Sequence, residues 1–391
     1  MKHLFQFILF TMLALLYSGC THMIINDFEP TQKISTQQEL KKNIDHFALP
    51  LLQNNINVGL VVSTFNHNQT NTFSYGYKNI EKKLPMQKDT IFALGSVGKT
   101  LVLSLLLVLE DKGLIDYDET IGDIFPSTLS YADDKVKNIT LKQLALHNSG
   151  LPREPYNHDS LFAMIKYFFT GDNIYGHIDT AYTYDYLSQH ILEPIRDDQA
   201  LYSNLGMGIL SYAISLKMNM SLEDLLQKHI LKPLNMNDTV ITFTAEQQKK
   251  LATGYVGEFP LFMRRNTVLE NWKFSAMMEG TGSIYSTAPD LVKLLKAHLG
   301  VSNTSLDTIF KKGYPLLTHN EELSCTLSWQ VQQIKKYNTN IYYKYGVIAG
   351  FSAYMGMHLP TKTAIVVLKN NFNWDETIGH NMLLRMALGK Q

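Results

Sequence analysis

Ser96-Val97-Gly98-Lys99, then Thr100, then Leu101-Val102-Leu103-Ser104-Leu105-Leu106-Leu107-Val108-Leu109 is the stretch on which the reading of this chain turns. From Ser96 to Lys112 the residues are helix formers, and 101–109 is apolar at every position but Ser104. A helix apolar nearly all round is a buried one, and this run is about half the ~20 residues a bilayer span requires. A three-residue separation on a helix places Ser96 and Lys99 on one face, with hydroxyl and amine able to meet. A serine hydroxyl is a weak nucleophile until a base stands beside it, and a desolvated lysine near another cation is neutral enough to be that base. At a helix start the serine also brings a backbone N–H and the positive end of the helix dipole to a developing oxyanion.

Moving outward, 57–64 and 71–77 have strand composition around a polar Asn66 to Gln69 turn, so a hairpin precedes the buried helix. The region 113–240 is mostly helical in pattern. Strand composition returns at 326–335, 340–345, 351–358 and 362–369, and Asp375 to Leu388 closes with a helical pattern. Strands at both ends with helices between predict an α+β fold in which the two ends share one sheet. The expected organisation is a sheet domain of 41–112 and 241–391 and a helical domain of 113–240.

Residues 1–19 combine a charged start at Lys2, a mostly apolar Leu4 to Leu16 and Tyr17-Ser18-Gly19 ahead of Cys20. That is the pattern of a signal peptide, and the cysteine in that place resembles a bacterial lipobox, which implies acylation of Cys20. A polar tether over 20–40 would follow, and Thr21 after Cys20 fits retention at the outer membrane. The chain is thus expected at the cell envelope, held to a membrane by a lipid. With 35 Lys+Arg against 35 Asp+Glu there is no basic surplus to favour nucleic acid. Two cysteines, Cys20 and Cys325, exclude a disulfide framework and a Cys-rich metal site, and the thirteen histidines form no metal-binding spacing. No cofactor is implied, and Leu94 stands where a Gly-x-Ser-x-Gly elbow needs glycine.

Two further segments carry chemistry. Tyr202-Ser203-Asn204 precedes an apolar helix pattern at 207–217: a phenol beside a lysine relays protons, and an amide beside both fixes a substrate carbonyl or the lysine itself. Lys344-Tyr345-Gly346, followed by Val347, lies on a late strand with glycine where another backbone or a ligand must come close. On an edge beside the serine, Lys344 offers a cation to a substrate carboxylate, and the Val347 N–H completes an oxyanion hole with that of Ser96. Tyr77-Lys78-Asn79 has the Tyr-x-Asn spacing too, but it lies in the opening hairpin, before the serine. The aromatic run Tyr167-Phe168-Phe169 to Tyr175 reads as a packed helix, with a roof over the site as the functional alternative. His147 reads as a structural hydrogen-bonding residue.

Together and in this order, these segments resemble the penicillin-recognising serine hydrolases, a superfamily of class C β-lactamases, low-molecular-mass DD-peptidases and esterases. Similar stretches are Phe73-Ser74-Tyr75-Gly76-Tyr77, Ile139 to Leu144 leading to His147-Asn148-Ser149-Gly150-Leu151-Pro152-Arg153-Glu154, and Gly282 to Ala288, so the likeness covers roughly 45–388. It implies an acyl-enzyme cycle. Ser96 would be the nucleophile, Lys99 and Tyr202 would share the proton, and Asn204 would hold the substrate amide. Lys344 and Gly346 would bind the carboxylate side of the substrate, and Ser96 and Val347 would cradle the oxyanion. Tyr345 departs from the small hydroxyl residue usual there and could fill part of the substrate pocket, which favours an esterase; Lys344 favours a peptidase. The leading reading is a D-alanyl-D-alanine carboxypeptidase/endopeptidase on peptidoglycan peptides with weak β-lactamase activity. The alternatives are a carboxylesterase and a non-catalytic envelope binding lipoprotein.

Overall fold

Strand segments from the two ends of the chain meet in one nine-stranded sheet. The computed structural model describes residues 34, 36–155, 157–192, 201–315, 318–319, 324–374 and 376–389. The signal segment, Cys20 and most of the tether lie outside them. Strands β1 (Gly59–Asn66) and β2 (Gln69–Asn79) join through His67 and Asn68, both at positive φ, as a two-residue hairpin turn requires. β3 (Leu84–Pro85) pairs beside them. The later strands are β4 (Thr318–His319), β5 (Ser324–Cys325), β6 (Gln330–Ile334), β7 (Thr339–Ile348), β8 (Phe351–His358) and β9 (Thr363–Lys369). The order is β3-β2-β1-β9-β8-β7-β6-β5-β4, antiparallel throughout, and the seam between the two ends is β1 on β9, with Val62 opposite Val367.

Alternation sorts the sheet into two buried faces. Leu60, Val62, Tyr343, Tyr354, Ile365 and Val367 face helices α1 (Gln37–Gln53) and α6 (Thr377–Leu388). Val61, Met355, Ala364, Val366 and Leu368 belong to the larger core on the other face, with α2 (Lys99–Asp111), α4 (Asn204–Met218) and α5 (Ala288–His298). Every residue of α2 from Lys99 to Leu109 is buried, which is why its sequence shows no polar face. Helix α3 (His158–Thr170) and shorter helices such as Leu141–Ala145 and Thr180–Gln189 occupy the middle of the chain.

Two expectations shift. The tether boundary at residue 40 is too late, because α1 begins at Gln37 and Leu40, Ile44, Ala48 and Leu51 are its buried stripe. Thr36 and Glu39 form a reciprocal capping box at its start, a Ser/Thr-x-x-Glu signal present in the sequence. The strand expected over 326–335 is continuous only over Gln330–Ile334. Thr326 closes a turn instead, its N–H reaching the Trp329 carbonyl at 2.8 Å and its hydroxyl accepting from the Trp329 N–H at 3.0 Å. That turn buries the indole, which then donates to His298 Nδ1.

Leu106→Ala, at a fully buried position of α2, is expected to cost about 2–5 kcal/mol in urea unfolding. A loss below about 1 kcal/mol would mean that α2 is not the centre of the core.

Candidate active site

Ser96 lies not in an α-helical turn but in a 3₁₀ turn, Gly95–Gly98, that leads into α2. The turn is shaped by the strand in front of it. A Cβ on Gly346 of β7 would stand 2.5 Å from the Leu94 carbonyl and 2.6 Å from the Ser96 nitrogen, and one on Gly95, at φ +51°, would stand 2.7 Å from the Val347 carbonyl. Only glycine lets two backbones approach this closely. Entry to the turn is held by Phe92–Ala93 pairing with Tyr285–Ser286 and by the Leu94 N–H on the Ile284 carbonyl at 3.0 Å.

β7 offers that turn a free edge. Its partner β6 pairs only with Thr339 to Tyr343, leaving Lys344–Ile348 without a ladder on that side. On the other side Ile348 and Phe351 close a two-residue turn, and alternation along an antiparallel ladder then points the N–H and C=O of Val347 away from β8, toward Ser96. The two donors expected of an oxyanion hole, Ser96 N–H and Val347 N–H, thus sit on facing backbones.

Lys99 is completely buried, with Nζ hydrogen-bonded to Ser96 Oγ at 2.9 Å and to the Thr281 carbonyl at 2.9 Å. Burial first, then the charges of Lys344 and Arg153, hold its pKa well below the usual lysine range, against a smaller opposing pull from Glu154. An amine of that kind accepts a proton at neutral pH. Lys344 is buried as well and its pKa is lowered by desolvation, with Cys325 opposing; the neighbouring Cys325 thiol is pushed up to about 11 by burial. Three basic side chains approach the Tyr202 ring: Lys99 Nζ and Lys344 Nζ are each 5.3 Å from its centroid and the Arg153 guanidinium carbon is 5.2 Å away.

Ser203 caps α4, accepting from the Gly206 N–H at 2.8 Å and donating to the Pro152 carbonyl at 2.6 Å. This ties Tyr202 and Asn204 to the loop 147–154. His147 Nδ1 accepts from the Ser203 N–H at 3.2 Å and its ring packs on Tyr202 at 4.5 Å. Burial first, then the basic groups of Lys344, Lys99 and Arg153, hold that imidazole's pKa well below the ordinary histidine value. Asn204 Nδ2 donates to Glu154 Oε1 at 2.7 Å and to the Tyr175 hydroxyl at 2.9 Å, and Tyr175 donates to the same carboxylate oxygen at 2.9 Å.

The structure therefore brings Ser96, Lys99, Tyr202, Asn204, Lys344, Gly346 and Val347 to one cleft. The hydroxyl of Tyr345 donates to the Asn373 carbonyl and its ring packs beside Trp374, on the face opposite Lys344. The ring leaves the lysine uncovered, contrary to the crowding expected from its size. Tyr77-Lys78-Asn79 lies in β2, where Asn79 bonds Thr253. Residues the sequence reading left without a role are Arg153, Glu154, Tyr175 and Thr281. Arg153-Glu154 stood next to the Leu151-Pro152 turn, and two adjacent charges at the end of a loop with no other Asp, Glu, Lys or Arg were the available signal; the aromatic run contributes its last residue, Tyr175, to the site itself. Among the described residues no three His, Cys, Asp or Glu side chains are grouped to hold a metal ion.

A serine bonded to a desolvated lysine at a helix start, a tyrosine ring close to two lysines and a strand edge facing the serine are the apparatus of a serine hydrolase. The chain belongs to the Beta-lactamase family, whose model matches residues 46–388. It is similar to the D-alanyl-D-alanine-carboxypeptidase/endopeptidase AmpH of Escherichia coli, at 24% identity over 85% of this chain and 84% of that protein. It is also similar to a β-lactamase of Providencia stuartii, at 27% identity over 56% of this chain, a match spanning 51% of that relative. A class C β-lactamase structure superposes with a TM-score of 0.75 at 18% identity, covering 92% of this chain and 99% of that one. The D-alanine carboxypeptidase AmpC of Burkholderia cenocepacia superposes at 0.72 and 18% identity, over 89% and 99%.

Gly346→Ala is expected to reduce acylation by at least about 100-fold while the protein stays folded, since a methyl group there pushes the strand edge off the serine turn; stopped-flow acylation with a chromogenic β-lactam or ester measures it, and a rate within threefold of wild type would refute this. Lys99→Met is expected to abolish acylation yet raise the thermal midpoint. Below the unfolded lysine pKa near 10.5 the unfolded chain holds a proton that the buried Lys99 resists, so the stability cost of burying Lys99 grows as pH falls from that pKa toward its lowered folded one and persists in full below it. A lower midpoint at pH 7 would contradict the burial argument.

Proposed function

We propose that the protein is an envelope serine peptidase that cleaves D-alanyl-D-alanine-type bonds in peptidoglycan stem peptides and reacts slowly with β-lactams. The observation that carries this reading is Lys344: a buried lysine 5.3 Å from the centroid of the Tyr202 ring, on the edge strand beside Ser96, suited to the C-terminal carboxylate of a peptide. The AmpH relative, matched over most of both chains, supports the same substrate class.

In the cycle the Ser96 oxygen attacks the scissile carbonyl while its proton passes to Lys99. The oxyanion is held by the Ser96 and Val347 N–H groups. Tyr202, close to both lysines, relays the proton to the departing amine of the terminal residue, and the acyl–Ser96 bond remains. Water then adds to that ester through the same groups, releases the shortened peptide and restores the serine hydroxyl. The esterase reading rests on Tyr345, and that ring packs against Trp374 away from Lys344, so the peptidase reading is preferred.

The lipidated anchor at Cys20 and outer-membrane placement belong to the same proposal, supported by the 1–20 sequence pattern. Incubation of the 21–391 fragment with muropeptides is expected to release D-alanine, and benzylpenicillin to leave a covalent adduct by intact mass, both lost in Ser96→Ala. Ester hydrolysis with neither D-alanine release nor an adduct would move the protein to the esterases. Cys20→Ala is expected to shift the full chain from the membrane to the soluble fraction, and unchanged membrane recovery would remove the anchor from the proposal.

A further inference from the structure

Glu154 is a buried polar group of the cleft that the acyl-enzyme cycle does not use, and its Oε2 has no hydrogen-bond partner among the described residues. Its Oε1 accepts from both Asn204 Nδ2 and the Tyr175 hydroxyl. Tyr175 is itself buried, stacked on Phe274 at 5.8 Å and edge-on to Trp272 at 5.9 Å, so its hydroxyl is fixed by packing. Because Tyr175 gives its proton to the carboxylate, its oxygen is left as an acceptor for Asn204. Both neighbours of Nδ2 are therefore acceptors. Turning the amide over would put its carbonyl oxygen 2.7 Å from a carboxylate oxygen, a repulsive contact in a desolvated place. The amide of Asn204 is locked in one orientation.

The two ends of that amide then have different uses. The nitrogen is committed to Glu154 and Tyr175. Oδ1 is buried and has no partner among the described residues. Asn204 and Lys99 share a support in Thr281, whose hydroxyl donates to the main-chain carbonyl of Asn204 at 3.1 Å and whose own main-chain carbonyl accepts from Lys99 at 2.9 Å. A lysine that has taken the serine proton carries three N–H groups, while its bonds to Ser96 and Thr281 use two.

We propose that Glu154 and Tyr175 are positioning residues that hold the Asn204 amide nitrogen away from the substrate and commit its carbonyl oxygen to the Lys99 ammonium formed on acylation. Asn204 in this protein serves the base instead of gripping the substrate amide. This rests on the acyl-enzyme reading. When the Ser96 O–H bond breaks and an N–H bond forms on Lys99, Oδ1 accepts the additional N–H, so the protonated lysine is held where it can return its proton. Burial raises the pKa of Glu154 itself, and in its ionised form the carboxylate also acts through space on Lys99. The groups facing it are Arg153, Asn204, Tyr175 and Lys99, and those facing Lys99 are Lys344, Arg153, Glu154, His147 and the Tyr202 ring. Among these, Glu154 is the one that raises the lysine pKa.

Glu154→Gln keeps the shape, removes the charge and gives Asn204 a neighbour that can donate to Oδ1, which frees the amide to turn over. The test measures the second-order rate of acylation by benzylpenicillin and by a p-nitrophenyl ester from pH 5 to 9, on wild type, Glu154→Gln, Glu154→Asp and Tyr175→Phe, with thermal midpoints. Expected are a fall of about tenfold or more in Glu154→Gln, partial recovery in Glu154→Asp and about a threefold fall in Tyr175→Phe. The acid limb of the profile moves to lower pH in Glu154→Gln alone, because the charge that raised the Lys99 pKa is gone. A fall in thermal midpoint with the limb and the rate of the remaining folded enzyme unchanged would assign Glu154 a structural role and overturn the proposal. Should Glu154→Gln fail to fold, Tyr175→Phe decides, and a wild-type rate there would overturn it. Ser96-dependent acylation in the wild type separates the two readings: with it present, a negative result rejects only the positioning role, and with it absent for both probes the parent reading fails and this one with it.

Discussion

The cleft depends on one close approach, the strand edge of Gly346 and Val347 lying against the backbone of the Gly95–Gly98 turn. Neither side has room for a Cβ at its glycine, and the gap fixes where the Ser96 hydroxyl sits relative to the Val347 N–H. Everything else in the cleft is arranged behind that contact. Helix α2 is buried on all sides, so its first turn cannot drift. The Thr281 carbonyl holds the lysine, and the edge of β7 is left open because β6 stops pairing at Tyr343.

Charge is managed by the same economy of space. Two lysines and an arginine surround one tyrosine ring, an arrangement that would be unfavourable if all three were fully ionised in a desolvated pocket. The structure resolves it by making the most deeply buried of them, Lys99, a weak base, and by placing one carboxylate, Glu154, in the loop that also carries Arg153. The neutral His147 contributes packing and an acceptor, with no further charge.

Much of this was legible in the sequence because it is written in local patterns. The run 101–109, apolar but for Ser104, announced a buried helix, segments of strand composition at both ends announced a shared sheet, and glycines beside a lysine announced a close approach. The parts that were not legible depend on partners far apart in the chain. Glu154 and Tyr175 meet Asn204 across 50 and 29 positions, and no spacing rule connects an aromatic run to an amide in another helix. Tyr345 was misjudged for a related reason: its bulk is evident in the sequence, but the face it occupies is set by the strand's alternation and by Asn373 and Trp374, which come later in the chain. The start of α1 at Gln37 was different, since Thr36-x-x-Glu39 was readable in place.

The seam between β1 and β9 has a consequence for how the molecule comes into being. Leu60 pairs with Lys369, so the middle of the sheet joins segments about three hundred residues apart, and contacts of such long separation form late. A chain emerging N-terminus first can complete the β1–β2 hairpin early but has no neighbour for its other edge until nearly all of it has been delivered. Such a chain stays unfinished until its last strands are delivered, and the edge that awaits β9 is until then an unpaired strand edge open to wrong pairing.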